Sequence, residues 1–103
     1  MAVIEVRLLE RQQLAMTTGQ MRCFVEVEQR GQVGDTFRVL GVEFRIADVV
    51  RTMPLGRVAE KLWKQNGASS PEDFRAMWCA LHERTGYKAE RLVRVHWVEP
   101  VEA

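Results

Sequence analysis

The sequence predicts an α+β domain, a small, partly open β-barrel of about five strands flanked by two or three helices. Three observations carry this. Segments whose apolar residues alternate with a period of two cluster in the first half of the chain. Two helical patterns follow Pro54. A last alternating segment then returns near the C-terminus. Early strands, then helices, then a returning strand argue for a curled, mostly antiparallel sheet. At 103 residues and 47% apolar, the chain is long enough for one core but not for two, so a single domain over 1–103 is expected.

The elements follow in order. Residues 3–9 read as a first strand, with Val3, Ile4, Val6, Leu8 and Leu9 around Glu5 and Arg7. Residues 10–18 are helix-permissive, and Gly19 is a natural stop. Arg22–Glu28 alternates again, and the Gln29–Gln32 stretch turns. Gly34-Asp35 leads into a strand over Thr36–Leu40. Gly41 breaks that strand, and Val42, Phe44 and Ile46 mark the next, which can run on towards Arg51 as the second arm of a hairpin. Leu55–Gln65 has a helical apolar face at Val58, Ala59 and Leu62, and Asn66-Gly67 ends it. Ser70 is a good N-cap, Pro71 suits the first helical position, and Glu72 and Asp73 favour the positive end of the helix dipole. Phe74, Met77, Trp78 and Leu81 form the inward stripe of that helix, with Gly86 as its stop. Arg91–Glu99 is the final strand, ended by Pro100.

Composition narrows the function classes. No apolar run is long enough to span a bilayer. The N-terminal residues carry acids and lack the apolar core of a signal peptide, so a cytoplasmic location is the default expectation. A net charge of +1 argues against strong nonspecific attraction to nucleic acid, though a local patch is compatible with it. Twelve of the fifteen basic residues are Arg, the side chain suited to bidentate contacts with phosphate or carboxylate. Cys23 and Cys79 read as reduced thiols in apolar surroundings. The Cys79-x-x-His82 pair has no second pair to complete a zinc site, so neither metal nor cofactor is expected.

Several motifs then combine. Gly19 precedes a strand, Gly34-Asp35 precedes another, and Gly67 stands ahead of Ser70-Pro71-Glu72-Asp73-Phe74 on a helix that carries Trp78. In order and spacing this resembles the ASCH family of PUA-like domains, from about Leu14 to Val101. The resemblance implies a PUA-like barrel, an RNA-related role and a ligand cleft between barrel and helices. One branch of the family is an amidohydrolase acting on N4-acetylcytidine through a Lys, a Thr and a Glu. Here the Lys position falls on Met21 or Arg22, the Thr on Phe24 or Val25, and the Glu on Asn66. An Arg is no base at neutral pH, Phe and Val are no nucleophiles, and Asn has no proton to shuttle. Only a shifted hydroxyl such as Thr17 or Thr18 would keep that hydrolase reading open, and no catalytic residue is assigned.

The reading that remains is a module binding RNA or a nucleotide. Arg22 and Arg38 would meet phosphate or a carbonyl, Asn66 would read a base edge, and Trp63 or His96 would stack on a base. Arg22, Arg38, Arg45 and Arg94 occupy outward strand positions and can form a basic face. Cross-strand pairing with Glu26, Glu28 and Glu43 is the structural alternative for them. For His96 the alternative is a half-exposed strand residue, for Trp78 a core residue, and His82 carries no role. A protein-interaction module using the Arg-rich face on acidic partners is the third class of reading.

Overall fold

One long strand, β5 (Leu92–Pro100), organises the sheet. The structure is a computed structural model that describes residues 1–101, so residues 102 and 103 of the expected domain lie outside it. Along one edge β5 pairs with β1 (Cys23–Glu26), bringing Phe24 opposite His96 and Glu26 opposite Arg94. Along the other edge its end pairs with β3 (Val42–Ile46) and its beginning with β4 (Arg51–Pro54). The four residues 47–50 stand opposite only His96 and Trp97, a bulge that bends the sheet. β2 (Thr36–Val39) closes the order β1-β5-β3-β2 through a two-residue hairpin with β3. All named pairs are antiparallel. The sheet is a curled half-barrel, the α+β arrangement expected for a PUA-like fold.

Two differences from the sequence expectation concern strands. Among the described residues, residues 3–9 make one parallel bridge, Val3 to Thr36, and otherwise form no strand ladder. Their alternation is real, because Ile4, Val6 and Leu8 pack against the barrel core. A period of two reports burial, and a ladder also needs a neighbour. Conversely, Arg51–Pro54 becomes β4 because β5 supplies a neighbour there, although its residues carry no strong alternation.

Among the described residues three helices complete the fold: α1 (Glu10–Thr17), α2 (Leu55–Lys61) and α3 (Pro71–Leu81). The Leu9 backbone N–H donates to the Gln12 side chain at the start of α1. The Ser70 hydroxyl accepts the Asp73 backbone N–H at the start of α3. α2 is shorter than Leu55–Gln65 because the chain tightens into turns after Leu62, where Ala68 N–H reaches back to Trp63 C=O. Gly67 has φ +79°, and a Cβ there would stand 3.1 Å from Ala15, so this turn lies close on α1. α3 ends at Leu81 rather than Gly86, and the Gly86 carbonyl instead accepts the Trp78 indole N–H. No described helix is long and apolar enough to cross a membrane.

The strand period divides the core in two. Cys23, Val93 and Val95 face α2 and α3, joining Leu55, Val58, Ala59, Phe74, Met77 and Trp78. Phe24 faces the barrel interior with Ala15, Met16, Met21, Phe37, Val39 and Phe44. β1 therefore contributes to both cores, and its surroundings position the candidate site.

Candidate functional site

β1 pairs with β5 alone, and where it meets α1 on one side and α3 on the other there is a seam. The middle of this seam is full. Leu8, Gln12, Phe24, Phe74, Met77 and Trp78 leave a void of only about 20 Å³. Asn66 borders it at 1% exposure, with its amide Nδ2–H donating to Leu62 C=O at 2.9 Å. The nearby Cys23 thiol is pushed up to about 12 by burial, with Asn66 pulling weakly the other way. A thiol held there stays protonated at neutral pH and acts as packing.

Beyond the Arg22 end of β1 the surface opens into a groove of about 670 Å³, within the range of small-molecule sites. Arg22 and Lys64 bring cations to it, and Trp63 and Trp97 bring half-buried rings. Gly19, Gln20, Gly67 and Ala68 leave room, because none carries a bulky apolar side chain. The wall is tied together through the Gln65 carbonyl, which accepts the backbone N–H of Arg22 at 2.8 Å and of Cys23 at 3.3 Å. The Gln65 side-chain Oε1 is buried without a hydrogen-bond partner among the described residues. A second, more apolar groove of about 520 Å³ shares Arg22 and Gly19, with Thr17, Thr18 and Val42 along it.

The five residues singled out from sequence therefore separate. Arg22 and Trp63 come together on the larger groove. Asn66 sits beneath the same turn but is enclosed. Arg38 lies on the β2–β3 hairpin, exposed, with its guanidinium donating to Gly41 C=O at 2.7 Å, and it does not line the groove. His96 is fully buried rather than half-exposed, its ring stacked on Phe24 at 4.3 Å. The His96 Nε2 accepts the Arg30 backbone N–H at 3.0 Å, which leaves Nδ1–H to donate to Arg94 C=O at 3.2 Å. Both nitrogens are occupied and burial holds the ring's pKa down, so this is a neutral structural histidine. The basic face is also dispersed, since Arg45 pairs across strands with Glu99 at 2.7 Å.

Lys64, Gln65 and Trp97 are groove residues that the sequence pattern did not single out. Trp97 shares strand parity with Val93 and Val95 and reads as core. Only its place opposite Cys23, at the open end of β1, brings its ring to the rim. Lys64 and Gln65 read as the end of a regular helix, whereas the turns after Leu62 aim them at the groove. Among the described residues no group of three or more His, Cys, Asp or Glu is placed to hold a metal ion. His82 stacks on Trp78 at 3.9 Å, with Nδ1 3.0 Å from Trp78 C=O.

Comparison with known proteins agrees with this architecture. Neither a family model nor a curated protein matches the sequence. Among solved structures, the ASCH domain from Lactobacillus crispatus superposes with a TM-score of 0.67 at 13% identity, over 96% of this chain and 78% of that one. A protein from Pyrococcus furiosus solved by NMR gives a TM-score of 0.64 at 16% identity, over 99% of this chain and 96% of that one. The likeness is one of fold: this chain has the ASCH-domain fold, a small PUA-like α+β half-barrel.

Proposed function

We propose that this protein is a binding module of the ASCH, PUA-like type for RNA or a nucleotide, held in the groove at the Arg22 end of β1. The observation that carries the reading is the meeting of two half-buried indoles with two cations in one open groove. Trp63 and Trp97 offer faces on which a base can stack, a contribution of about 1–3 kcal/mol per base. Arg22 and Lys64 offer charge to the phosphates that flank it. The unpaired Gln65 Oε1 can accept an N–H from a base edge. On this reading the ligand lies beside the barrel–helix seam rather than inside it.

Binding is preferred to hydrolysis of an N-acylated nucleoside. The two threonine hydroxyls that share a groove with Arg22 are engaged with α1 carbonyls. Thr17 Oγ1–H is within 3.1 Å of the carbonyls of Gln13 and Leu14, and Thr18 Oγ1–H lies 2.9 Å from Leu14 C=O. Neither has a basic side chain bonded to it among the described residues.

The test is titration of labelled single-stranded and structured RNA at low and moderate salt, with Arg22→Ala and Trp63→Ala beside the wild type. Saturable binding is expected, weakening with salt. Each variant should lose about tenfold in affinity, the scale of one stacking or charge contact. Absence of saturable RNA or nucleotide binding at low salt, with the domain folded, would overturn the proposal.

A further inference from the structure

The other end of β1 carries a different set of groups. Glu26 is a carboxylate at 8% exposure, on the wall of a cavity of about 380 Å³. Arg7, Arg30, Arg91, His82 and Glu28 line the same cavity, brought there by the N-terminal segment, the turn after β1, the approach to β5 and the end of α3. Arg30 Nη2 approaches a Glu26 oxygen at 3.6 Å, too long for a hydrogen bond. Among the described residues neither Glu26 oxygen accepts one. Burial pushes the carboxyl pKa up, opposed by the charges of Arg30, His82 and Arg7. The carboxylate is mostly buried and ion-paired at a distance with Arg30, but its oxygens are not sealed off, so they stand available to hydrogen-bond donors that enter the cavity.

The charges restrict what fits. Three guanidinium groups against two carboxylates leave the cavity cationic, which disfavours a cationic ligand. A bare phosphate suits the arginines but meets Glu26 with like charge. The complement is an anion that also presents neutral N–H donors to the carboxylate. A carboxylate accepts two parallel N–H bonds best, and guanine offers such a pair from its N1–H and amino group. Adenine offers an amino group beside an acceptor, and uracil sets its N–H between two carbonyls, so each would place an oxygen or a lone pair against Glu26.

We propose that the Glu26 cavity is a second ligand site, for a guanine mononucleotide. The base edge is read by Glu26, and the phosphate is held by Arg7 and Arg91. The site does not depend on the Arg22 groove, because β1 separates Arg22 from Glu26 by roughly 13 Å of extended chain.

The experiment is titration of the whole chain with GMP, IMP, AMP and guanosine, followed by tryptophan fluorescence and two-dimensional NMR. GMP is expected to saturate the site, while AMP and guanosine bind about tenfold more weakly or less, with IMP between. Glu26→Gln should erase the preference for GMP over AMP, and Arg91→Ala should erase the preference for GMP over guanosine. Arg91 makes its element contacts through its backbone, so its truncation leaves those bonds in place. Arg38→Ala, on the exposed β2–β3 hairpin and lining neither groove, should leave GMP affinity unchanged. Equal affinity for GMP and AMP, no saturation by GMP in the folded protein, or loss of GMP binding on Arg22→Ala but not on Glu26→Gln would each overturn the proposal.

Discussion

The middle of the β1 seam and its two ends are built from the same strand yet differ in how their polar groups are satisfied. In the middle, Asn66 donates to Leu62 C=O and both His96 nitrogens have backbone partners. Phe24 stacks on His96 and meets Phe37 edge-on at 5.5 Å. At the ends, Gln65 Oε1 and the Glu26 carboxylate lie among groups that do not complete their hydrogen bonding. Packing fills the middle and leaves open volume at the ends.

The sharpest way to break this comparison is Phe24→Ala, which empties the middle. The expected cost is about 4 kcal/mol, read as a lower urea midpoint. If stability barely changed, the middle would not be the packed region described.

Acid provides the next test. His96 is buried neutral with its folded pKa below the usual 6.5, so between the two values the unfolded chain binds the extra proton. Its contribution is fully present above the unfolded value and is lost as pH falls below it. The urea midpoint should drop from pH 7 to pH 5, and the drop should be smaller in His96→Phe. An unchanged drop would remove His96 from the account. Glu26, with its raised pKa, acts in the opposite sense by favouring the folded state as it protonates.

At the ends the sign reverses. In the absence of ligand, Glu26→Gln removes a buried carboxylate that lacks a hydrogen bond, and about 1 kcal/mol of added stability is expected at pH 7.5. That is a rise of roughly 4–8 °C in Tm for a domain of this size. Lower stability would mean that the Arg30 pairing holds the end together. The smallest effect is Arg22→Ala, which should move Tm within the scatter of about 0.5 kcal/mol typical of surface changes while weakening RNA binding. A large stability loss would make Arg22 a structural residue.

Much of the fold was legible because short-range physics writes it into local pattern. Ser70, Pro71, Glu72 and Asp73 announce α3, and Gly41 announces the hairpin, although Leu40, which reads as strand, joins it in the turn with positive φ. The site was less legible. Arg22 and Trp63 are 41 positions apart in sequence and meet only because the Gln65 carbonyl ties the turn after α2 to the start of β1. His96 was misread as half-exposed because one side of a strand looks like another until both faces are covered. At Val95 and His96, β5 is covered on both.

By itself, then, the sequence determined the kinds of elements, their caps and turns, and a near-neutral charge that confines any electrostatic site to a local patch. Tertiary structure alone decided which alternating segments found a strand partner, that the seam at Asn66 is packed shut, and that the surface opens at Arg22 and at Glu26. The reason is the range of the forces. Propensity and capping act within a turn or two of chain, whereas strand pairing, burial and the meeting of charges depend on neighbours that only the completed fold supplies.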